Sequence, residues 1–211
     1  MGKKTLSVFG VILIVAGLAL VAHYGYGVVY AHVQQQRLMR EAQASPAESY
    51  ENPVLTMEDR PQSLPRREAE DPEESLPEDE GPFVISIPRI DVEAAVLHGV
   101  DLDTLARGPG FYPDNPMPGR EGNVAVAGHR TTYGAWFRRV DQLEEGDKIL
   151  FTSPVAVYTY IVEDVFVVAS NAWEVVDPTE EPKLTLTTCH PPGSARERMV
   201  VRAGLDGVDP R

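Results

Sequence analysis

The chain holds a single cysteine, Cys189, closing the segment "TLTTC" (Thr185 to Cys189). Sulfur chemistry needs the thiolate, and a free thiol with a pKa of about 8.5 is only a few per cent ionised at neutral pH. A base and a cation must therefore stand close by. Two other segments carry them: "NVAVAGHR" (Asn123 to Arg130) brings His129, and "RERMVV" (Arg196 to Val201) brings Arg198.

Side chains alternate between the two faces of a strand. With Leu184 and Leu186 turned into a core, Thr185, Thr187 and Cys189 turn out together. With Val124 and Val126 inside, Ala125, Ala127 and His129 share the outer face, the alanines flooring a shallow groove. With Met199 and Val201 inside, Arg198 points out beside Val200 and Arg202. If the three strands are neighbours, Cys189 attacks a carbonyl and His129 protonates the leaving amine, later deprotonating the incoming nucleophile. Arg198 then holds the substrate carbonyl or its oxyanion. That is acyl transfer through a thioester.

Each residue also has a purely structural reading. Free cysteine is often a small buried apolar group, a histidine after a strand can satisfy a turn, and Arg196, Arg198 and Arg202 could form a solvated edge. His190 adjoins the cysteine in sequence but faces the other way by the same parity. One cysteine with scattered histidines has none of the zinc-ligand spacings, so neither metal nor cofactor is expected.

From Phe83 onward short apolar runs alternate with turn signals: "FVISIPRI", "VEAAVLHGV", "NVAVAG", "DKILFTS", "VAVYTYIVEDVFVVA", "KLTLTTC" and "RMVVRAGL". So many short strands in about 130 residues predict an all-β barrel or sandwich. Leu102 to Arg107 predicts about one helical turn. Tyr133 to Leu143 sets Trp136, Phe137, Val140 and Leu143 at helical spacing. "GPGFYPDNPMPGREGN" is dense in Pro and Gly and predicts loop throughout.

Thr5 to Ala22 carries no charge. As a helix it is about 27 Å long, close to the thickness of a bilayer core. Lys3 and Lys4 precede it as cytoplasmic anchors, and Tyr24, Tyr26 and Tyr30 follow at the level of an interfacial aromatic belt. A cleaved signal peptide shares the basic start, but the run is long for one and lacks a clean small-x-small site. We read a single-pass anchor with the rest of the chain outside the cell. Residues 41–80 hold thirteen acids against Arg60, Arg66 and Arg67, with few apolar anchors. They predict a disordered, self-repelling spacer that holds the barrel off the membrane. The organisation expected is 1–40 cytoplasmic start, anchor and juxtamembrane segment; 41–80 spacer; 81–211 catalytic barrel. A net charge of −13, still acidic beyond the spacer, excludes a nucleic-acid partner.

Together these residues resemble the sortases, membrane-anchored cysteine transpeptidases of Gram-positive bacteria. "TLTTC" matches the family's TLxTC signature, "NVAVAGHR" its histidine strand and "RERMVV" its arginine strand. The resemblance implies a closed eight-stranded β-barrel with short helices. It implies Cys189 as nucleophile, His129 as general acid/base, Arg198 as the substrate- and oxyanion-binding residue, and Thr188 beside Ala127 in the substrate pocket. The activity implied is cleavage of an LPxTG-type sorting signal between Thr and Gly on surface proteins. The acyl group then passes to an amine of a lipid-linked cell-wall precursor, or of a pilin lysine in a polymerising sortase. "GHRTTYGAWFRRVDQLEEGD" (Gly128 to Asp147) is most similar to class E of actinobacteria, which favours an LAxTG-type signal, and "EDPEE" (Glu70 to Glu74) lacks the aromatic anchor of a pilin-class lid. A hydrolytic cysteine peptidase and a non-enzymatic anchored scaffold are the rival readings.

Overall fold

The computed structural model describes residues 3–44 and 81–211. Eight strands close into a barrel: β1 (Phe83–Ile87), β2 (Val92–His98), β3 (Gly110–Phe111), β4 (Asn123–Ala127), β5 (Lys148–Thr152), β6 (Ala156–Ala169), β7 (Lys183–His190) and β8 (Glu197–Pro210). Their order around the barrel is β1-β2-β3-β4-β7-β8-β6-β5. Two pairings are parallel, β2 with β3 and β4 with β7; the others are antiparallel.

Alternation along the strands fills the interior. Ile85 and Ile87 of β1, Tyr158 and Tyr160 of β6, and Leu184 and Leu186 of β7 all join one core cluster. The Tyr160 hydroxyl accepts from the Gly119 N–H at 3.1 Å, and burial pushes the phenol up to about 12. Gly119 has φ of +86°, and a Cβ there would run into the Tyr158 ring, so the 112–122 loop passes over the barrel only with glycine at this point.

Asn123 opens β4 fully buried. Its Oδ1 accepts from the Thr185 hydroxyl of β7 at 2.8 Å, and its Nδ2 donates to the carbonyls of Val175 and Asp177. Those carbonyls belong to and follow a 3-10 turn, Trp173–Val176.

The short helix α2 (Leu102–Arg107) forms where it was expected. Asp101 caps it, accepting from the Asp103 and Thr104 N–H groups, and those bonds, led by the Thr104 hydroxyl, hold its carboxyl below 3.8.

Three expectations change. The eighth strand, β3, lies inside the stretch expected to be loop throughout. It has two residues, too few to show a period, and pairs with Leu97 and His98 on one side and with Ala127 and Val126 on the other. The helix expected over 133–143 is reduced to a 3-10 turn, Val140–Gln142. Tyr133 and Ala135 have φ of 53° and 46°, which breaks an α-helix. Those two residues cost roughly 1–2 kcal/mol each, whereas burying Phe137, Val140 and Leu143 gains roughly 1.5–3 kcal/mol each. Burial outweighs helix regularity. Finally, the N-terminal helix α1 runs Lys3–Ala44. It passes well beyond the apolar run and four residues into the segment expected to be spacer; the remainder of that spacer, and the "EDPEE" stretch, lie outside the described residues. The apolar part of α1 is long enough to cross a bilayer.

Candidate active site

The parallel β4–β7 ladder decides what meets at its end. Partners differ by sixty throughout, from Asn123 beside Lys183 to Ala127 beside Thr187. Pairing persists past the end of β4. Gly128 N–H donates to Thr187 O at 3.1 Å, and the Thr188 hydroxyl donates to Gly128 O at 2.7 Å. Two residues on, Arg130 Nη1 donates to His190 Nδ1 at 3.0 Å. The same offset sets His129 beside Cys189. On the other flank β8 pairs Cys189 with Arg198, and Arg198 Nη1 lies 3.8 Å from Cys189 Sγ. The structure thus brings the three residues singled out by parity to one end of one sheet.

The outer face differs from an open groove. Thr185 and Thr187 point away from the core cluster but are covered, bonded to Asn123 and to the Tyr112 hydroxyl. Tyr112 N–H reaches Ala125 O, and Asn115 Nδ2 reaches Asn123 O, so the 112–122 loop roofs this half of β4. Ala125 is fully buried and Ala127 is 8% exposed. The expected two-alanine floor is therefore closed at Ala125, and the accessible part of the face narrows to the ends of β4 and β7. Thr188 is buried, its hydroxyl spent on Gly128 O. It holds the two strand ends together rather than presenting a polar group outward.

Arg198 Nη1 also donates to Ala195 O and Glu197 O, fixing the guanidinium over the sulfur. Neighbouring arginines are placed otherwise. Arg202 Nη2 donates to Val175 O, and Arg196 is exposed. Cys189 is half-buried and free. His129 is also half-buried, and its Nε2 is itself buried with no hydrogen-bond partner among the described residues. Burial holds the imidazole below the usual histidine value, favouring the neutral ring.

Two residues escaped sequence reasoning. Tyr133 stacks on His129, ring centroids 5.3 Å apart and planes 26° from parallel. We expect an NMR titration of His129 to inflect below 6.5, and Tyr133→Ala, which opens the ring to water, to move it upward; an unmoved titration would show that another group shields the imidazole. Arg130, 2% exposed, pairs with Asp141 at 2.9 Å and donates to His190 Nδ1 and, at 3.4 Å, to Cys189 O. A guanidinium can only donate, so His190 Nδ1 is the acceptor and its proton sits on Nε2. His190 is thereby engaged away from the sulfur. Among the described residues no cluster of ligands could hold a metal.

Residues 85–206 match the Sortase domain family model. A Sortase D of Bacillus subtilis is 25% identical over 203 residues, covering 94% of this chain and 96% of that protein. A Sortase A of Bacillus anthracis is 34% identical over 125 residues, 59% of either chain. The solved sortase E from Streptomyces avermitilis superposes with a TM-score of 0.57 at 33% identity, covering 62% of this chain and 90% of that one. With its closed barrel, and with Cys189 and Arg198 paired beside His129, the chain belongs to the sortase family of cysteine transpeptidases.

Proposed function

We propose that the chain is a membrane-anchored transpeptidase in which Cys189 is the nucleophile, His129 the general acid/base and Arg198 the oxyanion-binding residue. Residues 5–22 span the membrane, 41–80, less the four residues that extend α1, are the spacer, and the barrel of 81–211 works outside the cell. The substrate is a surface protein bearing an LPxTG- or LAxTG-type signal. The observation that carries this reading is the sulfur held 3.8 Å from the Arg198 guanidinium while the β4–β7 register, carried past Ala127 by the Thr188–Gly128 and Arg130–Cys189 bonds, sets His129 alongside.

Cys189 gives its proton to His129 and attacks the carbonyl carbon of the signal's Thr. Arg198 donates to the oxygen as negative charge develops there. The C–N bond to Gly breaks, the amine leaves with the proton from His129, and a thioester remains. An acceptor amine on a lipid-linked wall precursor then loses a proton to His129 and attacks the thioester. The amide forms and the thiol returns. Ala127, with Thr188 bracing from behind, borders the cleft where the signal's last residues lie. The similarity of Gly128 to Asp147 to class E, together with the sortase E likeness, favours an LAxTG-type signal and wall attachment over pilin polymerisation.

Incubating the protein with LAxTG and LPxTG peptides and an added amine tests this by mass spectrometry. The expected product carries the amine at the new Thr carboxyl terminus. Free acid alone, undiminished by the amine, would make the protein a hydrolase instead.

A further inference from the structure

Helix α1 continues past Ala22 to Ala44, and this extension lies against the barrel. Tyr24, Val28, Ala31 and Gln35 recur at intervals of four, three and four residues, one face of a helix. Ala31 and Gln35 are buried, 0% and 4% exposed.

Gln35 fastens the contact. Its Nε2 donates to Ala95 O at 3.0 Å and to Arg107 O at 3.1 Å, and its Oε1 accepts from Ala95 N–H at 2.8 Å. Ala95 lies on the edge of β2 that β3, paired only with Leu97 and His98, does not reach. One side-chain amide satisfies both backbone groups there as a neighbouring strand would. Three hydrogen bonds from one amide to backbone atoms of two elements make this a specific attachment. Gly108 makes room for it: its backbone is extended, with φ of −176°, and a Cβ would run into the Gln35 amide.

The attachment sets the height of the active site. Tyr24 Oη donates to Thr131 O at 3.4 Å, a Cβ on Gly27 would touch the Tyr133 ring at 3.6 Å, and the His32 ring lies 5.5 Å from that of Trp136. The loop leaving His129 is therefore level with helix residues 24–32. Tyr24 stands about 3 Å, Gly27 about 7–8 Å and His32 about 15 Å beyond Ala22 along the axis, so the loop climbs away from the span between Thr131 and Trp136. A headgroup layer is roughly 5–8 Å deep. Exposed Arg138 and Arg139 line, with Tyr24, His32, Trp136 and the single acid Asp91, a cavity of about 660 Å³ between loop and helix.

Resting on residues 5–22 as the membrane span, we infer that the Gln35 attachment holds the barrel with the start of loop 131–139, Thr131 to Tyr133, in the lipid headgroup layer and Trp136 just above it. The partner of this face is the phosphate-bearing surface of the bilayer, met by Arg138, while Arg139 beside it donates to the Ile90 carbonyl. The His129–Cys189 end of the sheet then opens at that level, where a lipid-linked amine presents itself, and the height is set by a docked helix rather than by an extended spacer.

The two tryptophans report on this. Trp136 lies in the loop, whereas Trp173, 63% exposed, lies in the turn bonded to Asn123 at the start of β4, about 20 Å from His129 along the strand. Full-length protein in vesicles of phosphatidylglycerol and phosphatidylcholine, with a nitroxide on the lipid headgroup, is compared as Trp173→Phe and Trp136→Phe. We expect Trp136 to be quenched several-fold more than Trp173. Gly108→Ala or Gln35→Ala should remove the difference while the chain still floats with vesicles. Equal quenching of both tryptophans in a floating chain overturns the docking and leaves the span standing. A chain that does not float overturns the span, and this inference with it. A difference that survives both variants overturns the role of Gln35.

Discussion

Cys189→Ala is expected to abolish acyl-enzyme formation and to lower transfer by at least about 10³-fold, while the protein melts within roughly 0.5 kcal/mol of the parent. Both halves follow from where the sulfur sits. It is the chain's one thiol, so nothing nearby can replace it as nucleophile. It is half-buried at a strand end and outside the core cluster, so its loss opens no core cavity. Trapping by an LAxTG-type peptide, read as intact mass, checks the first half, and a circular-dichroism melt checks the second. A folded Cys189→Ala variant that still transfers would refute the nucleophile assignment.

Arg130→Ala is expected to cost stability and rate together, about 2–4 kcal/mol and roughly 10²-fold in kcat. The side chain is 2% exposed and packed beneath the strand ends. Removing it leaves a void, releases the Cys189 carbonyl, and frees His190 to turn. Asp141, its ion-pair partner, is 44% exposed in its side chain, so water takes up that charge and the lost ion pair is a small part of the cost. Arg130→Met separates the two effects. Its volume restores packing, and the melting temperature should largely recover. The Cys189 carbonyl remains unheld, and kcat should stay low. Full recovery of rate with Met would reduce Arg130 to a space-filling role.

Alternation made the site legible in advance. The parity of Leu184 and Leu186 against Thr185 and Thr187, and of Val124 and Val126 against Ala125, depends only on strand geometry, and the core cluster contains the first set and not the second. What parity cannot say is which outward residues are covered. Ala125 and Val200 are both fully buried, and the cover over this half of β4 comes from the loop that precedes it, around Tyr112 and Asn115, whose path its Pro and Gly content does not reveal. Tyr133 escaped notice because Trp136, Phe137, Val140 and Leu143 fall at helical spacing, while the chain takes two left-handed residues instead. Arg130 was legible only as the last letter of "GHR". Its importance arises from a parallel pairing with a residue sixty positions on, and no local pattern carries that information. The docked length of α1 was hidden in the same way. Its barrel-facing residues include a glutamine, whose partners are backbone atoms rather than an apolar stripe.

The ladder joining β4 to β7 has a strict tolerance. Slipping it by one step would put Gly128 or Arg130 where the imidazole belongs, replacing a proton carrier with hydrogen or with a permanent cation, so a misregistered barrel would be chemically inert however well it packed. Asn123 guards against this from the far end. Clasped at once to Thr185 and to the carbonyls around Val175, it has no equivalent fit in a shifted alignment. The fidelity of the reacting end is thus pinned about 20 Å away, by an amide that never meets the substrate.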